Sequence, residues 1–257
     1  MAKIISVVNQ KGGTGKTTTT INLAAYLAAL GKYVLVVDLD PQGNATSGLG
    51  FEPDGLQKTV YHALAGDHFP EEVVKKTNLF GYELMPASGD LAGASIELVN
   101  VPEREFKLYN LLQRIRTNYD YILIDCPPSL GLLTINGLTA AEEVIVPVQC
   151  EYYALEGLGQ LLRTIGLIQD NLGRDLKVKG ALLTMFDKRN KLSRQVAKEI
   201  RLHFPGYVFE AMIPRCIRLA EAPSFGKTIF QYDKTSQGGG AYRQLAEEIM
   251  KLDQNNA

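Results

Sequence analysis

The residues best equipped for chemistry stand together near the start of the chain, in Lys11-Gly12-Gly13-Thr14-Gly15-Lys16-Thr17-Thr18. They follow the apolar run 4–8 directly and precede a stretch rich in Ala and Leu. Glycines at this density let backbone N–H groups turn inward around an anion, and the helix expected from Thr17 onward adds unpaired N–H groups and a positive dipole end. That is phosphate chemistry: Lys16 would reach the terminal phosphates of a nucleotide, and the Thr17 hydroxyl would ligate Mg²⁺. Two further apolar runs end in acids. Asp38 and Asp40 stand in Val37-Asp38-Leu39-Asp40-Pro41-Gln42-Gly43-Asn44, and Asp125 closes Tyr121-Ile122-Leu123-Ile124-Asp125. An aspartate at a strand end can simply cap the next helix. Beside a phosphate loop, however, oxygen ligands for Mg²⁺ are what the chemistry needs, with Thr17, Asp40 and Asp125 as the metal-facing set and Asp38 supporting the loop.

These groups meet only if the runs before them lie side by side. Short β-branched runs at 4–8, 34–38, 121–125, 144–148 and 178–184 alternate with segments of near-3.6 apolar spacing at 17–30, 103–116, 155–169 and 192–203. The alternation predicts a doubly wound α/β fold, a mainly parallel twisted sheet with helices on both faces and ligands at the carboxyl edge of the strands. The stretch 50–89, broken by glycines and prolines, predicts short helices and one extra strand within the same domain. No linker or repeat interrupts the pattern, so 1–257 is expected to be a single domain, with no room for an N-terminal DNA-reading domain.

At 257 residues and 46% hydrophobic content, the chain is neither disordered nor fibrous. A formal net charge of -1 excludes a general polycation that coats nucleic acid, so any such site must be local. Cys126, Cys150 and Cys216 lack CxxC spacing and His62, His68 and His203 form no ligand pattern, which argues against a disulfide scaffold and a structural zinc site. There is no signal-peptide pattern and no apolar run near the roughly 20 residues of a membrane span.

The loop departs from G-x-x-x-x-G-K-[ST] in two ways: Gln10 stands where the first glycine belongs, and Lys11 adds a second lysine. In this form it resembles the deviant Walker A loop of the ParA/MinD superfamily. The strings at 38–44, 127–136, 147–157 and 219–224 are similar to those of chromosomal ParA/Soj proteins, so the likeness spans most of the chain. The resemblance implies a Mg²⁺-dependent ATPase of P-loop type with Lys11 to Thr18 on the nucleotide. Lys11 would reach across an ATP-dependent homodimer to the partner's ATP, and Asp40 would orient the attacking water. Pro214 and Cys216 would flank the adenine, with Cys216 where the family often has asparagine, leaving base contact to the backbone. Cys126 invites comparison with the nitrogenase iron protein, but Cys150 and Cys216 do not resemble its cluster ligands. In 149–157 the resemblance implies packing and dimer contacts only.

Between Arg174 and Arg218 the chain carries eleven cations against four acids. Lys191, Arg194, Lys198 and Arg201 recur at spacings of three, four and three, along one helix face. Such a stripe is most often solvated surface. The resemblance points further, to nonspecific binding of double-stranded DNA through Arg189 and Arg218, joined by Lys191 and Arg194. It also implies a ParB-type centromere-binding partner that stimulates hydrolysis, an influence on DnaA in some relatives, and a cytoplasmic, nucleoid-associated location. The alternative is a MinD-like membrane-associated positioning ATPase, which anchors by a basic amphipathic C-terminal helix. The tail 246–257 is acidic to polar without aromatics, so no membrane attachment is expected. No motif for a small-molecule synthetase stands out.

Overall fold

The computed structural model describes residues 1–151 and 154–255, with backbone alone for 95 and 154–157. Its sheet contains β1 (Lys3–Val7), β2 (Val34–Asp38), β3 (Lys75–Lys76), β4 (Tyr82–Met85), β5 (Tyr121–Asp125), β6 (Glu143–Gln149) and β7 (Lys177–Thr184), in the order β3-β4-β2-β5-β1-β6-β7. Every neighbouring pair is parallel except β3 with β4. The doubly wound expectation therefore holds. The stretch 50–89 supplies two strands where one was expected: β4 extends the parallel sheet beside β2, and β3 closes that edge with two lysines, a charged end that discourages further strand pairing. The helix expected over 103–116 begins only at Lys107, because Glu103 takes φ 53 and Arg104–Phe106 forms a 3-10 turn.

Alternation along each strand divides the core into two layers. Ile4, Val37, Ile122 and Ile124 pack beneath the helices Lys107–Ile115, Leu132–Ala140, Ala154–Leu172 and Lys191–His203. Ile5, Val36 and Leu123 face α1 (Lys16–Ala29) and the closing helix Gln237–Asn255. The register sets Val7 and Asp38 on either side of Asp125, so the segments after β1, β2 and β5 leave the sheet at one edge.

The closing helix runs against local propensity, since it opens Gln237-Gly238-Gly239-Gly240 and each helical glycine costs about 1 kcal/mol relative to alanine. Packing requires two of them. A Cβ on Gly238 would lie 2.6 Å from Leu219 Cγ, and one on Gly239 would lie 2.6 Å from the Lys234 carbonyl oxygen. At its other end Asp253 accepts hydrogen bonds from Lys3 Nζ (2.7 Å), Lys179 Nζ (2.6 Å) and Tyr121 Oη (2.7 Å), which ties the helix to β1, β7 and β5.

A close crossing brings Gly226 against Gly50. Gly226 has φ +60, and a Cβ there would lie 2.6 Å from Gly50 Cα, a backbone atom that cannot swing away. Replacing it by alanine adds left-handed strain to an overpacked contact, and Gly226→Ala is expected to cost about 2–3 kcal/mol. Urea unfolding checks this, and an unchanged midpoint would contradict the crossing.

Candidate functional site

The loop between β1 and α1 is held from both sides before any ligand arrives. Asn9 Nδ2 donates to the Pro147 carbonyl (2.7 Å) while its Oδ1 accepts the Lys11 N–H (3.0 Å). The Thr184 hydroxyl donates to the Thr14 carbonyl (2.7 Å) from the end of β7. Gly13 and Gly15 turn the backbone at φ +72 and +88, conformations that favour glycine. Lys16 is only 7% exposed, its Nζ donates to the Lys11 carbonyl at 3.4 Å, and it has no ion-pair partner among the described residues. Burial lowers its pKa, against the opposing charges of Asp125 and Asp40. A buried cation lacking a partner at contact distance is costly until an anion reaches it.

Gly12, Gly13, Gly15, Lys16, Thr17, Thr18 and Asp40 line one cavity of about 850 Å³, walled opposite by Pro127, Pro128 and Ser129. A narrower cavity of about 200 Å³ adjoins it, sharing Gly15, Thr18 and Met185, and is lined by Pro214, Cys216 and Tyr242. The segments singled out for phosphates and for a base thus meet in one continuous cleft. Two members of the set stand apart from the walls. The Thr14 side chain is buried and turned toward the Lys11 carbonyl (3.4 Å), so it shapes the loop. The Lys11 ammonium lies 3.7 Å from Glu151.

The carboxylates divide the work. Asp38 is fully buried: its Oδ2 accepts the Thr46 N–H (2.9 Å) and hydroxyl (2.8 Å), and its Oδ1 accepts the Asp40 N–H (3.1 Å). Burial pushes its carboxyl up in pKa and the Thr46 hydrogen bonds oppose this. Asp38 thereby fixes the loop that carries Asp40, whose own Oδ1 accepts the Gln42 N–H (3.0 Å). Asp125 lies behind the cavity wall, fully buried, with Oδ1 accepting the Thr20 hydroxyl (3.2 Å) and Oδ2 without a hydrogen-bond partner. Burial raises its pKa, and the Asp38 charge raises it further. An orphaned carboxylate oxygen at this depth fits a divalent cation with its bound waters.

Several contributors escaped the sequence reading. Thr20 follows Lys16 by one helical turn, and that spacing was a usable signal. Thr184, Met185 and Tyr242 carried none, because each reaches the cleft from an element far along the chain, and the bond from Asn9 to the Pro147 carbonyl was equally invisible. Met185 adopts φ 51 where the two cavities meet, a conformation uncommon outside glycine and one that collects at functional sites.

Beyond the cavity lined by Pro214 and Cys216 the chain is basic. Phe186 N–H donates to the Ile213 carbonyl (3.0 Å) and Arg215 N–H to the Phe186 carbonyl (3.3 Å), so the segments bearing Arg189 and Arg218 are joined at the cavity wall. Arg189 is 86% exposed in its side chain, and Arg218 lies half open. Lys191 and Arg194 are exposed on the helix Lys191–His203, whose first turn Asn190 caps through Leu192 and Ser193 N–H. The charge count overstates the surface, however. Lys179 is buried between Glu143 and Asp253, Arg174 packs over the Tyr109 ring, and Arg201 turns to the Phe209 carbonyl and Glu210. In 149–157, Tyr152 and Tyr153 lie outside the described residues, as do Asn256 and Ala257 of the tail. No helix among the described residues is long and apolar enough to cross a membrane.

A family model described as an AAA domain matches residues 2–178. The chain is 53% identical over 249 residues to the sporulation initiation inhibitor protein Soj of Bacillus subtilis (strain 168), covering 97% of this chain and 98% of that one. It is 53% identical over 247 residues to the chromosome-partitioning ATPase Soj of Thermus thermophilus, covering 96% and 94%. Among solved structures it is similar to the cobyrinic acid a,c-diamide synthase of Mycobacterium smegmatis with bound ATP analogue and magnesium, at TM-score 0.89 and 40% identity over 100% of this chain and 98% of that one.

Proposed function

The chain belongs to the ParA/Soj family of chromosome-partitioning ATPases, and on that premise we propose that it is a single-domain, cytoplasmic DNA-partitioning switch. It binds ATP in the cleft, pairs with a second copy, and in that form holds duplex DNA nonspecifically along the nucleoid. Hydrolysis, stimulated by a ParB-type centromere-binding partner, releases it. Contact with DnaA belongs to the same reading.

The loop amides around Gly12 to Thr18 bind the phosphates, and Lys16 places its charge on the terminal ones, which removes its own buried mismatch. Thr17 and Asp125, with Asp40 nearby, are the residues to hold Mg²⁺, which when bound neutralises charge on the β- and γ-phosphate oxygens. Asp40 orients the attacking water, and Asp38 keeps Asp40 in place. Lys11, off the cavity wall on its own subunit, acts on the partner's nucleotide. Pro214 and Cys216 hold the base, largely through backbone.

The observation that carries the switch is the pairing of Phe186 with Pro214. One short bridge joins the base cavity to both segments that bear the DNA arginines, so a nucleotide there bears on their placement. The membrane reading gains no support, since Tyr242, Leu245, Ala246 and Ile249 of the closing helix are buried against the core.

Fluorescence anisotropy of a labelled duplex, with ATP or ADP at two salt concentrations, tests this reading. Two arginines per protomer make about four phosphate contacts in a dimer, which predicts a salt slope of about −3.6 and roughly 150-fold weaker binding at 200 than at 50 mM. Arg189→Glu with Arg218→Glu should abolish ATP-dependent binding. Native protein that ignores DNA with ATP at low salt overturns the reading.

A further inference from the structure

We infer that Asp187 and Glu221 are built-in competitors of DNA phosphate, each holding one of the two DNA-binding arginines and so setting how tightly the protein grips DNA. The inference rests on the DNA-binding reading above and deepens it.

Asp187 accepts a fork from Arg189, Oδ1 from Nε at 3.2 Å and Oδ2 from Nη2 at 3.3 Å, while Oδ1 also accepts the Arg189 N–H at 2.9 Å. Glu221 Oε2 accepts from Arg218 Nη1 at 2.9 Å and from the Tyr232 hydroxyl at 3.1 Å, with Asp233 Oδ2 a further 3.8 Å from Arg218 Nε. The geometry is selective. Lys188, Lys191 and Arg194, on the same basic face, have no acid partner among the described residues, and Arg194 donates only to the Lys188 carbonyl. Hydrogen bonding to Arg189 holds the Asp187 carboxyl below its ordinary pKa, as a stable ionised partner requires.

A guanidinium presents its donors as a planar fork that fits carboxylate and phosphate alike. A DNA phosphate must therefore displace the acid from Arg189, while an unpaired lysine needs no exchange. Each acid lies within three residues of its arginine, so the pairs move with their segments and persist whichever way a dimer forms. Exposed pairs of this kind are weak, and the competitor trims the affinity without abolishing it. A protein that must release DNA after each hydrolysis gains from that.

Asp187→Asn and Glu221→Gln test this, because each keeps one oxygen acceptor for its local N–H or hydroxyl while losing the charge and the second acceptor oxygen. Every substitution counts twice in a dimer, and ATP-dependent duplex binding at fixed salt should tighten by about 3- to 10-fold for each variant. Asp170→Asn is the control, since it removes an exposed acid of the helix Ala154–Leu172 that has no cation partner among the described residues. Thermal melts overlaying that of the native protein keep a folding defect from imitating the result. Tightening no greater than that of Asp170→Asn overturns the inference. Weaker binding also overturns it, by showing that the acids orient the arginines for DNA. In both cases native binding that Arg189→Glu abolishes leaves the DNA reading intact, whereas native protein without ATP-dependent DNA binding removes both.

Discussion

Asp40→Ala is expected to lower ATP turnover by about 10²–10⁴-fold while nucleotide affinity changes little, the range typical for loss of a group that orients or deprotonates the nucleophile. The expectation follows from how little Asp40 does for the fold and from Thr17 and Asp125 remaining to hold Mg²⁺ without it. Asp40 stands on the cavity wall, is nearly buried, and supports the fold through one acceptor bond to the Gln42 N–H. The scaffold of its loop comes from Asp38, which binds the Thr46 N–H and hydroxyl and the Asp40 N–H. Alanine at 40 therefore removes a carboxylate from the cleft and leaves the loop standing, whereas Asp38→Ala should disturb the loop itself. Single-turnover phosphate release gives the rate, and displacement of a fluorescent ATP analogue gives the affinity. If Asp40→Ala hydrolyses ATP at the native rate, the chemistry is done by another residue. On the proposed function, in which hydrolysis releases the protein, the hydrolysis-deficient variant should also stay on DNA.

Asp253→Ala is expected to destabilise the fold by about 2–3 kcal/mol, below the roughly 3–5 kcal/mol for leaving a buried charge without any partner, because Glu143 stays on Lys179. Lys179 is 3% exposed in its side chain and sits between Glu143 Oε2 and Asp253 Oδ1, each 2.6 Å away. Lys3 and Tyr121 point at the same carboxylate. Burial alone would push the Asp253 carboxyl up, but hydrogen bonds from Lys179, Lys3 and Tyr121 outweigh it and the pKa falls below its ordinary value. A carboxylate whose folded pKa is depressed stabilises fully above its unfolded pKa of about 4 and loses that contribution as pH falls through the folded pKa. Chemical denaturation of native and Asp253→Ala proteins at neutral and acidic pH reads both effects. The gap between them should narrow below about pH 4, and a gap that stays constant would assign the effect to packing.

How far the sequence could be read depended on the range of the interactions involved. The loop of 11–18 was legible because its glycines, Lys16 and Thr17 stand together in one short stretch of sequence, and the alternation of apolar runs implied that strands meet at a common edge. That Asp38 and Asp125 close strands of one sheet was legible, but their partners were not. Nothing in the chain shows that Thr46 would bring both its N–H and its hydroxyl to one oxygen of Asp38, or that one oxygen of Asp125 would stay unpaired. The basic segment was the least reliable guide: composition cannot tell Lys179 in the core from Lys191 on the surface.

By itself, then, the chain's order of residues determined the ligand class and the fold class, since both rest on local chemistry and on periods of two and 3.6. Only the tertiary structure decided which partners those residues meet. Thr184 reaches the Thr14 carbonyl across 170 residues and Lys3 reaches Asp253 across 250. Glycine is required at 238 and 239 because Leu219 and Lys234 leave no space for a Cβ. Such contacts depend on strand register and crossover path, whose free energies are summed over the whole sheet, and no single stretch of sequence carries that sum.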